Sequence, residues 1–278
     1  MTPFRPRADL ATHSVFNQSE PLHGVNLYAG DAMLSGAVKR SSPADHTERL
    51  TAFGAAVGSE EMLDHGRRAN ENPPTFKPFD RFGHRVDEVE FHPSYHALMD
   101  LGLSHGVSGA AWSADAGGHV LHSALLMLMG AADAGVCCPM SMTYACVPAL
   151  RHGDWTAPWI EGATANAYDP RVLPKEEKTG LTLGMAMTEK QGGSDVRANE
   201  TRAEAIDGVE GEVVLTGHKW FCSAPMSDAF LTLAYEGGGD DPALSCFLVP
   251  RWRPDGTRNA IEIQRLKDKM GDKSNASS

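Results

Sequence analysis

The hydrophobic period of this sequence changes once, near Thr179, and that change most limits what the chain can fold into. Upstream, apolar residues recur at helical spacing; downstream they alternate or form β-branched runs. Asp31 reads as the N-cap of DAMLSGAVKR. Leu50, Phe53, Ala56 and Val57 share one helical face, and Ser59 opens a second helix that ends before Asn72-Pro73-Pro74. A further helix starts at Pro93 and runs through Tyr95, Leu98, Met99 and Leu101. Another spans 120 to 136, and Pro139 opens one more through Met142, Ala145 and Leu150. After Thr179 the runs TGLTLGMAMTE, TRAEAI, GEVVLTGHKWF, AFLTLAYE, ALSCFLVP and AIEIQRL read as short strands, split by turn signals such as DGVEG, EGGGDDP and RPDGTRN. Helices first and strands after predict an α+β chain: an all-α domain followed by a small antiparallel, barrel-like β domain. The expected boundaries are an extended N-terminal arm at 1–30, a helical domain at 31–178 and a β domain at 179–278. The arm is rich in Pro, Asn and Gly, with Val15, Phe16, Leu22, Leu27 and Tyr28 as apolar anchors. It either packs on the body or reaches a partner subunit.

Composition removes several function classes. The 36 acidic residues outnumber 25 basic ones, so the formal charge of −11 repels a phosphate backbone. The 41% hydrophobic share is enough for a packed core. Cys137, Cys138, Cys146, Cys222 and Cys246 are odd in number and hold no C-x-x-C pair, which reads as free thiols in a reducing, cytoplasmic compartment. The N-terminus lacks the apolar core of a signal peptide. The longest apolar run, from Ser123, is interrupted by Asp133 and is too short to span a bilayer, so no membrane partner is expected. The glycosylation sequons at Asn17, Asn199 and Asn275 are therefore chance matches.

There is no G-x-G-x-x-G, Walker loop, G-x-S-x-G or H-E-x-x-H. His92 and His96, and His119 and His122, have helical spacing for metal ligation. Pro93 follows the first and no carboxylate is in phase, so no metal site is expected. Met127, Met129, Met140 and Met142 read first as flexible core filling, with the wall of an acyl pocket as the alternative. Arg251-Trp252-Arg253 reads as a solvated loop after a strand.

Two segments carry most of the chemistry. MAMTEKQGGSDVRAN, residues 185–199, concentrates hydroxyls and glycines after a strand; GHKWFCSAP, residues 217–225, ends another. If the two strands are neighbours, Thr188, Ser194, Phe221 and Ser223 meet at one rim. Hydroxyls and glycine amides can hold a heterocycle edge and a pyrophosphate, and Phe221 or Trp220 can cover a flat ring. A Gly-rich connector beside an ordinary hydrophobic strand explains the same residues equally well.

Thr188-Glu189 followed by Gly193-Ser194-Asp195 resembles the signature of the acyl-CoA dehydrogenases, a flavoprotein family. Gly217 to Ser223 stands where that family has its G-x-K-x-W-I-T strand, and Lys269 and Gly271 resemble the start of its K-x-G-x-R segment. TEKQGGSDV, GHKWF, RLKDKMGDKSNAS, VFNQSEPL, ANENPP and FHPSYH are similar to the AidB-type subgroup, associated with the adaptive response to DNA alkylation. The resemblance covers nearly the whole chain. It implies FAD, lined by Met185, Ala186, Met187, Thr188, Glu189, Gly192, Gly193 and Ser194. Phe221 would replace the family's stacking tryptophan, Cys222 its isoleucine, and Ser223 the threonine that bonds the flavin ring. Lys190, Gln191 and Gly192 depart from the wider family, and Lys273 replaces its arginine.

The family continues beyond a point equivalent to Ser278 into a helical domain carrying the proton-abstracting glutamate. No catalytic residue is therefore expected in this chain, and the β domain is expected to end with an open edge. What the resemblance implies is the N-terminal part of an FAD-dependent acyl-CoA dehydrogenase-like flavoprotein, with an acyl-CoA-like partner and a homo-oligomer, a tetramer when full-length. DNA would be contacted only through the absent domain. The alternatives are a DNA-protecting alkylation-response flavoprotein and a non-catalytic interaction module.

Overall fold

The computed structural model describes residues 11–20, 22, 24–113, 116–237 and 243–278. Helices α1 (Ala32–Ser41), α2 (Thr47–Val57) and α3 (Glu60–Glu71) come first, then a hairpin of β1 (Thr75–Phe79) and β2 (Arg85–Glu90). Helices α4 (Pro93–Ser104), α5 (Ala110–Ser113), α6 (Gly118–Ala132), α7 (Ala134–Leu150) and α8 (Ala157–Thr164) follow. The sheet contains β3 (Leu183–Ala186), β4 (Arg202–Ala205), β5 (Val213–Thr216), β6 (Ala229–Glu236) and β7 (Ala243–Pro250).

The caps explain several boundaries. The Asp31 carboxylate accepts from the Met33 and Leu34 amides at 2.9 Å, and Ser59 Oγ accepts from the Met62 amide at 3.2 Å. The break between α6 and α7 falls at Asp133, not at Pro139 as the sequence suggested. Asp133 Oδ1 accepts from the Gly135 and Val136 amides, which starts α7 earlier and leaves Pro139 and Pro148 inside it. The core of the helical unit is Leu50 and Phe53 from α2, Leu98 and Met99 from α4, Leu125 and Met129 from α6, and Val136 and Met140 from α7. Met129 and Met140 are thus core, whereas Met127 is exposed.

The hairpin was not anticipated. TFKPF and RVDEVE alternate in exposure, a period-2 signal too short to stand out among helices. Its turn is closed by Asp80, whose carboxylate accepts from the Phe82 and His84 amides. The end of the arm lies on α2: the Val25 and Leu27 amides donate to the Gly58 and Gly54 carbonyls. A Cβ on Gly58 would come within 1.9 Å of the Val25 oxygen. Leu27 and Tyr28 act as anchors, while Val15, Phe16 and Leu22 are exposed.

The α+β order is what the structure shows, but the sheet is mixed rather than antiparallel. β7 runs antiparallel along one edge of β6, from Ala229↔Pro250 to Glu236↔Ala243. On the other edge β3 pairs parallel to the start of β6 (Leu183↔Ala229), and β4 pairs parallel to its end (Arg202↔Tyr235). β5 is antiparallel to β4. Strands β3 and β4 therefore lie one after the other along one edge of β6. Residues 187–201 leave that line and return to it, so no reversal separates the two strands.

AIEIQRL forms no strand. Other groups hold this stretch: Arg85 Nη2 donates to the Ile263 carbonyl at 3.0 Å, and just beyond it the Lys267 amide donates to Ser277 O at 2.7 Å. A second cluster of Cys146, Leu150, Trp159, Leu181, Leu183 and Leu231 packs α7 and α8 against β3 and β6. Within it the Leu183 amide donates to Thr143 Oγ1 at 3.0 Å.

Candidate functional site

The excursion between β3 and β4 begins with a tight turn. The Gly192 amide donates to the Glu189 carbonyl at 3.0 Å, and Gly192 takes φ +127°, a region that disfavours any Cβ. A Cβ on Gly193 would stand 2.7 Å from Thr188 Oγ1. The Gly-Gly pair thus allows the chain to fold back over Thr188. Asp195 then caps a short 3-10 turn at 196–198, its Oδ1 accepting from the Arg197 amide at 3.2 Å.

Glu189 is buried at the base of this turn. Its carboxylate accepts from Lys219 Nζ (2.8 Å), the Glu200 amide (2.8 Å), the Thr201 amide (3.1 Å), Gln191 Nε2 (3.0 Å) and the Thr201 hydroxyl. Burial alone would raise its pKa, but these donors outweigh that penalty and hold the carboxyl well below the usual carboxylate range. A carboxylate so saturated is a structural anchor, not a base.

The two chemistry-bearing segments do meet, though not for the reason the sequence suggested. Strands β3 and β5 are not neighbours. The segments join loop to loop: the Trp220 amide donates to the Thr188 carbonyl at 2.8 Å, and Lys219 reaches Glu189. Met185 and Ala186 sit half-buried in β3, in register with Leu231 and Thr232. Met187 and Thr188 are half-buried beyond its end; Gly193 and Ser194 are exposed. Three successive carbonyls are already used, Ala186 by the Thr232 hydroxyl (2.6 Å), Met187 by Asn199 Nδ2 (3.2 Å) and Thr188 by Trp220.

Phe221 is 49% exposed at φ +61°, an unusual backbone state for a bulky residue. Lys267 Nζ lies 4.1 Å from its ring centroid, and Lys190 and Arg265 lie near the Trp220 ring. The residues that follow Phe221 are held by residues 276–278. Cys222 and Ser278 exchange backbone hydrogen bonds at 2.9 and 2.8 Å. The Ser223 and Ser277 hydroxyls are 3.0 Å apart, and the Ala224 amide donates to Ala276 O. Burial pushes the Cys222 thiol up to about 11, so it is no nucleophile at neutral pH. Lys219, Thr201, Asn199 and Ser277 escaped the sequence reading. Lys219, Asn199 and Ser277 lie in segments the sequence singled out, GHKWF, MAMTEKQGGSDVRAN and RLKDKMGDKSNAS, whereas Thr201 carried no such signal.

The histidine pairs are otherwise engaged. His92 caps α4, His96 Nδ1 meets Tyr168 Oη at 2.7 Å, His119 Nδ1 meets Tyr144 Oη at 2.8 Å and His122 Nδ1 meets Val107 O at 2.6 Å. Among the described residues no group of three His, Cys, Asp or Glu is placed to hold a metal, and no helix is long and apolar enough to cross a membrane. Arg251 is buried rather than solvated, which corrects the sequence expectation.

A family model described as the adaptive response protein AidB N-terminal domain matches residues 17–170, and one described as the acyl-CoA dehydrogenase middle domain matches residues 184–278. The chain belongs to the AidB-type branch of the acyl-CoA dehydrogenase family. It is 46% identical over 274 residues to the AidB protein of Escherichia coli (strain K12), covering 96% of this chain and 49% of that one. Among solved structures, Bd2924 in its apo form superposes with a TM-score of 0.81 at 29% identity, over 95% of this chain and 53% of that one. The Caenorhabditis elegans ACDH-11 complex with C11-CoA gives 0.80 at 28%, over 97% and 46%. The chain spans about half the length of the curated relatives it matches.

Proposed function

We propose that the 185–194 and 221–223 segments form one wall of an FAD site in an acyl-CoA dehydrogenase-like oxidoreductase. The observation that carries this reading is the polarity left at the free edge of β3. The carbonyls of Ala186, Met187 and Thr188 are spent on Thr232, Asn199 and Trp220. That leaves this stretch's backbone N–H groups and the Thr188 and Ser194 hydroxyls to donate to a ligand. An isoalloxazine edge and a pyrophosphate are rich in acceptors, so the donor set fits the group. The half-exposed Phe221 ring offers a flat apolar face beside these donors.

In this reading Met185, Ala186, Met187, Thr188, Glu189, Gly192, Gly193 and Ser194 line the cofactor. Phe221, Cys222 and Ser223 complete the wall, with Ser223 donating while its neighbours hold the backbone. FAD, when bound, supplies the two-electron acceptor for removing hydride from an acyl β carbon. The reaction also needs a base within hydrogen-bond reach of the α proton. Glu189 is saturated by its donors, and we assign no base in these 278 residues. The C11-CoA complex of the nematode relative supports an acyl-CoA as the substrate class. The whole protein is proposed to act as a cytoplasmic homo-oligomer. Any contact with DNA is assigned to sequence outside this chain, because the chain carries a charge of −11.

The test is an absorbance spectrum of the purified chain after incubation with FAD and desalting. A retained, perturbed flavin band is expected, weakened by Phe221→Ala and by Ser223→Ala. A colourless wild-type chain overturns the reading that this wall holds the cofactor. Purified alone, the chain is expected to show no α,β-desaturation of an acyl-CoA; measurable turnover would show that a base has been missed.

A further inference from the structure

A second polar feature lies behind the rim, where the helical unit meets the sheet. A cavity of about 50 Å³, open to the surface past Glu88 and Arg171, is lined deeper in by Tyr95, His96 and Met99 of α4, by Tyr168, and by Ser227 and Arg251 on the sheet side. Tyr95 and Ser227 are almost completely buried, and neither hydroxyl has a hydrogen-bond partner in the protein. Orphaned buried hydroxyls are uncommon and costly. Arg251 is also buried, with a guanidinium that donates through Nε to Ser227 O at 3.2 Å and through Nη2 to Pro225 O. Its charge has no carboxylate in salt-bridge contact among the described residues, because Asp228 is taken by Lys178 at 2.6 Å and Asp169 by Arg171 at 2.7 Å. A buried guanidinium held only by carbonyls lacks a counterpart for its remaining N–H groups.

We propose that this cavity is a built site for small hydrogen-bond-accepting solvent species, ordered water or a halide ion. The buried lining groups without partners can all donate: the Tyr95 and Ser227 hydroxyls and the free side of the Arg251 guanidinium, with the Glu88 carboxylate at the exposed end. A few water molecules fit the volume, at roughly 10–15 Å³ each on this measure. The position gives the site a purpose. Ala224 and Met226 also line the cavity, and they continue directly from Cys222 and Ser223. Bound solvent would therefore support from below the segment that carries the outer rim. The inference does not depend on flavin binding.

The test is a crystal structure of the 278-residue chain, at a resolution that shows ordered solvent, with a second crystal soaked in bromide. Density in the cavity is expected within about 2.7–3.2 Å of at least two of Tyr95 Oη, Ser227 Oγ and the Arg251 guanidinium. An anomalous bromide peak there assigns a halide; density without one assigns water. A dry cavity, or one closed by direct bonds from the two hydroxyls to protein atoms, overturns the proposal. In Tyr95→Phe the density nearest residue 95 is expected to vanish while melting stays cooperative. Unchanged density in that variant would overturn the role given to the Tyr95 hydroxyl.

Discussion

At the scale of single residues, Glu189 decides how the signature loop is held. Its carboxylate binds the loop's own Gln191, the start of β4 at Glu200 and Thr201, and Lys219 from the other segment. Both Glu189 and Lys219 are largely buried, with side chains 5% and 12% exposed. Removing one partner strands the other, so Lys219→Met is expected to cost about 3 kcal/mol in denaturant unfolding. Glu189→Gln should be comparable, because Lys219 then keeps its charge without a counter-ion. The pH dependence follows from the sign of the shift. The folded carboxyl titrates below its unfolded value of about 4.3. Its contribution is therefore complete above that value and is lost as the pH falls through the folded pKa. Wild type should lose melting temperature more steeply than Glu189→Gln below about pH 4.3. Parallel curves would show that the anchor carries no net stabilisation.

At the scale of elements, Asp133 does more than start a helix. One carboxylate oxygen caps α7, and it also accepts from Ser274 Oγ at 2.8 Å; the other accepts from Asn70 Nδ2 of α3 at 3.0 Å. A cap lost on its own costs about 1 kcal/mol. Here Asp133→Ala also leaves buried Ser274 without its acceptor, so about 2–3 kcal/mol is expected from thermal or chemical unfolding. Asp133→Asn keeps an oxygen for the cap and should recover part of the loss. The arm gives a second test. Gly58→Ala would place a methyl 1.9 Å from the Val25 backbone oxygen. The variant is expected to release the segment around Val25 to limited proteolysis while the helical core stays protected. An unchanged cleavage pattern would show that the arm tolerates the shift.

At the scale of the whole molecule, the last residues join the two halves. Ser274, Asn275, Ala276 and Ser277 are buried. Ser274 bonds upward to Asp133, Ala276 and Ser277 bond sideways to Ala224 and Ser223, and Ser278 bonds to Cys222. The helical unit, the rim and the chain terminus thus form one mechanical unit. Deleting 272–278 is expected to lower the melting temperature and to abolish flavin retention, even though no residue of the proposed wall is removed. Retention at the wild-type level would show that the rim supports itself.

Helix starts at Asp31 and Ser59 were legible because capping is local: the side chain and the amides it satisfies lie within three residues. The passage from helices to strands was legible for the same reason, since periodicity is a property of the chain itself. The signature's residue types, and its tight turn around Gly192, could also be read from the sequence. What tertiary structure alone decided was pairing over distance. It placed β3 and β4 along one edge of β6, which made the sheet mixed. It took AIEIQRL out of the sheet, giving the Ile263 carbonyl to Arg85 and the following Lys267 amide to Ser277 instead of a strand. It buried Arg251, and it brought residues 188 and 220 together through a single amide. Such choices depend on which distant groups remain unsatisfied once the chain is compact, and no local stretch of sequence contains that information.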